Sequence, residues 1–236
     1  TVYPIFLDVL SSQKISVGPP FYHKLIIPFL IPFLLMMAIG PKLKWIKSNL
    51  EDKTYLIILL LFSILLSFLI VKNFDTNFLL NTILISSALY LFLITLRDFF
   101  IKKYNNLSQN IAHFGFSLLI LSIIFNNLFS TEIITNLKVG ETFKSETTKI
   151  VFEGINQKKE KNYQSIIGNF SIQNSKGKIE NMSPELRIYN QPNIVTSEAD
   201  IKTTLISDTF IVINLVQNQD YFNVRYQVKP FMIWIW

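Results

Sequence analysis

Two histidines, His23 and His113, are the only imidazoles in this 236-residue chain, and it has no cysteine. Without thiols there is no disulfide scaffold, no cysteine-held zinc or iron–sulfur cluster and no covalent CxxCH haem attachment. His113 is the more informative histidine. It is the one titratable group in the apolar run 111–129. An ionisable side chain inside a membrane-length helix is costly, which makes it a functional candidate by default. A neutral imidazole held at a fixed angle by a helix suits haem iron. Gly115 and Ser117 are small enough to admit a ring or a neighbouring helix. The structural alternative at this level is an interfacial histidine bonded to a backbone carbonyl. His23 follows Gly18-Pro19-Pro20-Phe21-Tyr22, a stiff turn, and reads as a solvated interfacial residue.

Carboxylates offer less. Glu51-Asp52 falls in a basic loop, and Glu198 and Asp200 have no histidine or cysteine near them in sequence to form a nucleophilic set. Phosphate-loop, GxSxG and metal-cluster patterns are absent from the sequence.

The elements that must position His113 are helices of the bilayer. Half of the residues are hydrophobic and 16% are charged, against about 25% in ordinary soluble domains. Apolar runs cover 25–39, 55–71, 78–96 and 111–129, each near the ~20 residues that span a bilayer core. Toward a polar stripe the second run offers only Ser63 and Ser67, too few for the polar face of a soluble helix. Pro28 and Pro32, four apart, share a face of the first. Membrane helices tolerate such prolines when neighbours satisfy the freed carbonyls.

Charge follows the same division. Residues 129–227 hold 11 basic and 11 acidic groups, so the net charge of +6 lies in the apolar part. This distribution marks membrane topology and argues against a nucleic-acid partner. Lys42, Lys44, Lys47 and Lys53 fill one loop, and Arg97, Lys102 and Lys103 another. Both should face the cytoplasm or matrix, leaving residues 1–24 and everything after the fourth helix on the opposite side. On that topology His23 and His113 lie near opposite membrane faces, separated by ~20 Å or more at 1.5 Å per residue, and cannot share one iron. Aromatics at Trp45, Tyr55, Tyr104, Trp234 and Trp236 read as an interfacial belt.

From residue 130 polar residues rise and alternation begins. Strands are expected at 148–152, 166–172, 185–189, 209–216 and 223–228, with turns at 174–177, 191–193 and 218–220. In the fourth, Phe210 and Val212 alternate with Ile211 and Ile213, which suggests cover on both faces. The expected architecture is a polytopic α-helical membrane protein with a small extracytoplasmic all-β domain. Its parts are an extracytoplasmic segment at 1–24, four membrane helices within 25–129, a β domain at 130–228 and the start of a further membrane helix at 229–236. A first residue other than Met and an apolar last stretch suggest an internal piece of a longer protein.

An ordered set of motifs adds a resemblance. Thr1-Val2-Tyr3-Pro4, Ile15-Ser16-Val17-Gly18-Pro19-Pro20-Phe21-Tyr22 and Ala112-His113-Phe114-Gly115 are followed by Val139-Gly140-Glu141, Phe152-Glu153-Gly154 and Pro184-Glu185-Leu186-Arg187-Ile188-Tyr189. Ser197-Glu198-Ala199-Asp200-Ile201, Lys229-Pro230-Phe231 and Trp234-Ile235-Trp236 complete the series. Together they resemble the CcmF/NrfE family, haem lyase subunits of cytochrome c-type biogenesis, over essentially the whole chain.

The resemblance implies a part in attaching haem to apocytochrome c outside the membrane. A haem chaperone delivers the haem and a thiol-handling subunit prepares the apoprotein. A tryptophan-rich external segment with flanking histidines holds the haem while its vinyl groups form thioethers. A separate haem b lies between two membrane histidines, and His113 falls on one of them, as an axial ligand to the haem iron. The tryptophan-rich segment and the second membrane histidine are absent here, so the chain alone is expected to be inactive as a lyase. His23 stands where the family usually shows another residue and inherits no role. The implied location is the bacterial inner membrane, with the β domain in the periplasm; the mitochondrial inner membrane is the other compartment this pattern fits. Two other readings are a haem transporter or channel component, with His113 as a waystation, and a non-catalytic membrane scaffold whose β domain recruits partners. A ResB-like assembly protein has a similar layout, but the ordered motifs favour CcmF.

Overall fold

The computed structural model describes residues 19–43, 53–74, 77–101, 107–174, 177–216 and 219–236, with the side chains of 19–24 excepted. The chain forms two compact units, Thr1–Ile124 and Phe125–Trp236.

Among the described residues there are four α-helices: α1 (Pro19–Ile39), α2 (Lys53–Val71), α3 (Phe78–Ile101) and α4 (Leu107–Phe129). Their 19 to 24 residues give about 28–36 Å at 1.5 Å per residue, enough to cross a ~30 Å hydrocarbon core. All four are long and apolar enough to span a membrane. α1 starts at Pro19, earlier than the apolar run suggests, because the first turn has no use for the proline N–H. Pro28 and Pro32 lie within the continuous helix.

α3 is the enclosed helix of its unit. Residues Leu84 through Leu91, then Ile94, Thr95 and Asp98, are buried. α1 and α2 both pack on α3. Ser63 and Ser67 are fully buried on α2, and their hydroxyls donate to the Leu60 and Ile64 carbonyls at 2.8 and 2.9 Å. Small side chains that satisfy their own hydroxyls let helix backbones approach closely in lipid. Meanwhile Phe29, Met36, Leu61 and Leu79 face outward. Such exposed apolar surface belongs against acyl chains.

The second unit is a sandwich of antiparallel sheets. Its strands are β1 (Thr131–Leu137), β2 (Thr142–Lys144), β3 (Thr148–Lys159), β4 (Tyr163–Asn174), β5 (Ile179–Met182), β6 (Glu185–Asn190), β7 (Asn193–Glu198), β8 (Asp200–Thr203), β9 (Ser207–Leu215) and β10 (Phe222–Pro230). One sheet runs β1-β10-β9-β8 and the other β2-β3-β4-β6-β7, with β5 also on β4. Leu137, Ile211, Ile213, Val224 and Tyr226 of the first meet Ile150, Phe152, Phe170, Ile172, Met182 and Leu186 of the second. Phe152 stacks on Phe170 at 4.3 Å and meets Phe222 edge-on at 5.6 Å. Gly168 leaves room for that stack: a Cβ there would stand 2.8 Å from Phe170 Cε2 and 3.2 Å from Ile213 Cδ1.

Two expectations change. β9 points Ile211 and Ile213 into the core, while Phe210 and Val212 are only half-covered and Leu215 is exposed, so it is a one-sided strand. Residues 229 and 230 finish β10, paired with Asp208 and Ser207, and Met232–Trp234 form a single 3-10 turn.

Polar ladders flank the core. The carboxyl of Glu185 is held below its ordinary value, chiefly by the hydrogen bond from Arg187 at 3.0 Å. Gln227 and Arg225 do the same for Glu132 on β1. A depressed folded pKa contributes stability that is present above the unfolded carboxylate value and lost as pH falls through the folded value. The sandwich should therefore weaken on acidification below about pH 4.5. Glu185→Gln should flatten that acid limb in circular-dichroism melts taken across pH; an unchanged limb would remove Glu185 from the account.

Candidate functional site

His113 lies in α4 on the stripe Asn110, His113, Ser117 and Leu121, spaced by three or four residues. Asn110, Ser117 and Leu121 are buried and His113 is half-buried. Ser117 Oγ donates to the Phe114 carbonyl at 2.8 Å, so the stripe presents little unsatisfied polarity. His113 itself makes no side-chain hydrogen bond or ion pair among the described residues. Its neighbour Phe114 stacks on Phe92 at 5.0 Å and meets Phe99 edge-on at 5.7 Å, both on α3. Phe116 meets Phe33 of α1 at 5.9 Å. The residue that follows His113 thus joins a cluster of phenylalanine rings between α3 and α4.

Gly115 leaves open space, and no described residue occupies the close approach that it permits. A Cβ there would meet nothing within 4 Å, and the residue is exposed. It is two residues from His113 and from Ser117, about 200° round the helix, and so lies away from their stripe, on which Ser117 is buried. His23 falls early in α1, and its side chain is outside the described residues. No group of three or more histidine and carboxylate side chains that could hold a metal ion occurs among the described residues. A zinc-type site needs three or four protein ligands, whereas haem iron takes a single residue on each face. The isolated, accessible imidazole of His113 fits the second kind of site.

A charged cluster that sequence reasoning missed lies at one end of the helical unit. Lys42, in a 3-10 turn after α1, donates from Nζ to Asp98 Oδ2 of α3 at 2.5 Å. Both side chains are buried, at 2% and 6% exposure. Arg97 lies over the Tyr55 ring of α2, with its guanidinium carbon 3.5 Å from the centroid. Lys42 is therefore a buried partner and not a solvated loop charge, and Tyr55 is a cation–π platform as well as an aromatic near a helix end. The available signal was Asp98, a carboxylate just beyond the third apolar run. Trp45, Tyr104 and Glu51-Asp52 lie outside the described residues.

In the sandwich, the motifs that carry the resemblance are mostly structural. Gly140, with φ of 87°, donates its N–H to the Phe152 carbonyl at 2.7 Å, and Phe152 N–H donates to Glu141 O at 3.0 Å. That joins Val139-Gly140-Glu141 to Phe152-Glu153-Gly154, where the β3–β4 register shifts. Such a bulge adds a residue to one strand and bends it. The Pro184 carbonyl accepts from Gly168 N–H, Glu198 Oε1 lies 3.8 Å from Arg187, and Asp200 Oδ2 accepts from Ser183 N–H at 2.6 Å. Glu198 and Asp200 are thus engaged in holding strands.

The family described as "CcmF C-terminal beta-sandwich" matches residues 128–230. The cytochrome c-type biogenesis protein CcmF of Pseudomonas fluorescens is 28% identical over the whole chain, which spans 38% of that relative. Those of Pseudomonas aeruginosa and Escherichia coli are 24% and 22% identical, again with 38% of their length covered. A solved structure titled "Cytochrome c Heme Lyase CcmF" matches all of this chain and 39% of its own, with a TM-score of 0.74 at 18% identity, which supports the same fold. Helices of membrane length, a sandwich where the family model matches and relatives that align from end to end lead to one conclusion: residues 128–230 are a CcmF C-terminal beta-sandwich, in a chain similar throughout to the cytochrome c-type biogenesis proteins CcmF.

Proposed function

We propose that this chain is the part of a cytochrome c haem lyase subunit that supplies one axial ligand, His113, to a haem b within the membrane. Around that ligand it builds helices of the bundle, and it adds a sandwich that meets the assembly partners on the periplasmic side. The observation that carries the reading is the His113 imidazole: half-buried, on the inward stripe of an apolar helix, and without a side-chain hydrogen bond or ion pair among the described residues. An imidazole left open in such surroundings is suited to a metal bond.

When bound, haem b would supply one-electron chemistry that keeps the incoming haem reduced. The chain's own residues do the holding. α4 fixes the direction of the imidazole, Ser117 keeps its hydroxyl on the backbone, and the rings of Phe92, Phe99 and Phe114 hold α4 against α3. Covalent attachment of haem to apocytochrome c, with a haem chaperone and a thiol-handling subunit as partners, involves parts of the family beyond this stretch.

The test is the reduced-minus-oxidised spectrum of the protein at its full natural length, with and without His113→Ala. A b-type signal that disappears in the variant, while the β-sheet circular dichroism and melting temperature persist, supports ligation. A signal of undiminished size in the variant would sink it and leave the scaffold reading.

A further inference from the structure

Hairpin tips are ordinarily polar, but the β8–β9 turn is not. Thr204 and Ser207 close it: Thr204 N–H donates to the Ser207 carbonyl at 3.0 Å, and Ser207 N–H donates to Thr204 Oγ1 at 3.0 Å. Ile206 N–H also donates to Thr204 Oγ1, at 3.4 Å, so the turn is closed without using either side chain at its tip. These are Leu205 and Ile206, at 71% and 69% exposure. Isolated apolar side chains on a surface need no explanation, but this pair is not isolated. Trp234 Nε1 donates to the Leu205 carbonyl at 2.9 Å, and Phe231 N–H donates to the Ile206 carbonyl at 2.7 Å. The 3-10 turn Met232–Trp234 is thus tied to the tip, and Ile233, Trp234 and Trp236 are exposed beside it.

The same assembly is fastened to the end of α4. Phe231 packs on Phe125 at 5.7 Å, and Asn126 Nδ2 donates to the Pro230 carbonyl at 2.7 Å. α4 is a membrane-length apolar helix that ends at Phe129. Such a helix ends where the hydrocarbon gives way to headgroups. Whatever is bonded to its last turn sits near that depth. There an exposed leucine and isoleucine bury their side chains among acyl chains, and tryptophan is the side chain most at home.

We propose that the Leu205–Ile206 tip, with Ile233, Trp234 and Trp236, inserts into the headgroup–acyl boundary of the bilayer and anchors the sandwich to the lipid surface.

The chain has no cysteine, so single-site labelling is clean. Leu205→Cys would carry an environment-sensitive fluorophore at the tip, and Asp220→Cys would carry it at the β9–β10 turn. These sites are separated by the nine-residue β9, or about 30 Å at ~3.4 Å per residue. The full chain, in vesicles of phosphatidylcholine and phosphatidylglycerol, is exposed to aqueous iodide or to phosphatidylcholine spin-labelled near the headgroup. At position 205 we expect strong quenching by the spin-labelled lipid and several-fold less by iodide than at position 220. Equal iodide quenching at the two positions would overturn the proposal by placing the tip in water. Protection from both quenchers would overturn it by showing a protein cover. Ile206→Cys reads the same tip independently should Leu205→Cys fail to fold.

Discussion

Lys42→Ala, with Asp98 left in place, is expected to destabilise the helical unit by about 3–5 kcal/mol, the usual cost of stranding one member of a buried ion pair. The two groups come from positions 56 residues apart and meet at 2.5 Å. Asp98 Oδ1 is buried with no hydrogen-bond partner among the described residues, so removing the ammonium takes away the charge that offsets the carboxylate. In lipid surroundings water is slow to replace it. The paired replacement Lys42→Met with Asp98→Leu should recover most of the loss, because neither charge then remains to be desolvated. Unfolding midpoints in mixed detergent would measure both. A Lys42→Ala midpoint equal to that of the parent would mean that the pair is solvated in the membrane protein and has no role in holding α1 against α3.

Phe152→Ala should cost the sandwich a comparable amount, about 3–5 kcal/mol, as large-to-small changes of buried aromatics do. Phe152 is fully buried and is touched from both sheets, by Phe170 within its own and by Phe222 from the other. Nearby Gly168 has no side chain to lean into the gap, so the cavity should persist. Urea unfolding followed at the β-sheet signal would show the shift. A change of less than about 1 kcal/mol would imply that the two sheets close over the missing ring.

The helices were legible because lipid imposes a simple rule: roughly 20 apolar residues, with charge confined to the ends. Their ends were less so. The α3 run extends past Leu96 to Ile101 because Arg97 and Asp98 are paired instead of solvated. Nothing local announces such pairing. The strongly alternating segments at 148–152, 166–172 and 223–228 were also legible and prove longer in the structure. β1 was hidden by Ile134, an exposed apolar residue that breaks its period of two. β2, β5 and β8 are three or four residues long, too short to show a period. β7 is an edge strand with Ile194 and Val195 both exposed, so its pattern says nothing of a buried face.

At the candidate site, the type and position of His113 were readable, since one imidazole in a charge-free run stands out. The phenylalanine cluster that the next residue, Phe114, joins was not. Phe92, Phe99 and Phe114 are common membrane residues, and only the approach of α3 to α4 brings them together.

The first strand of the sandwich lies beside its last: Thr131 pairs with Val228, and Ser130 and Pro230 stand at the same end of that ladder. The backbone therefore enters and leaves the domain through a doorway one strand spacing wide, about 5 Å. A domain hung this way is an insertion in the engineering sense. Its loops can be lengthened or its whole body exchanged for another sandwich, and the flanking residues need not move apart to let it in. The reach of the sandwich can thus change without drawing Ser130 and Pro230 apart.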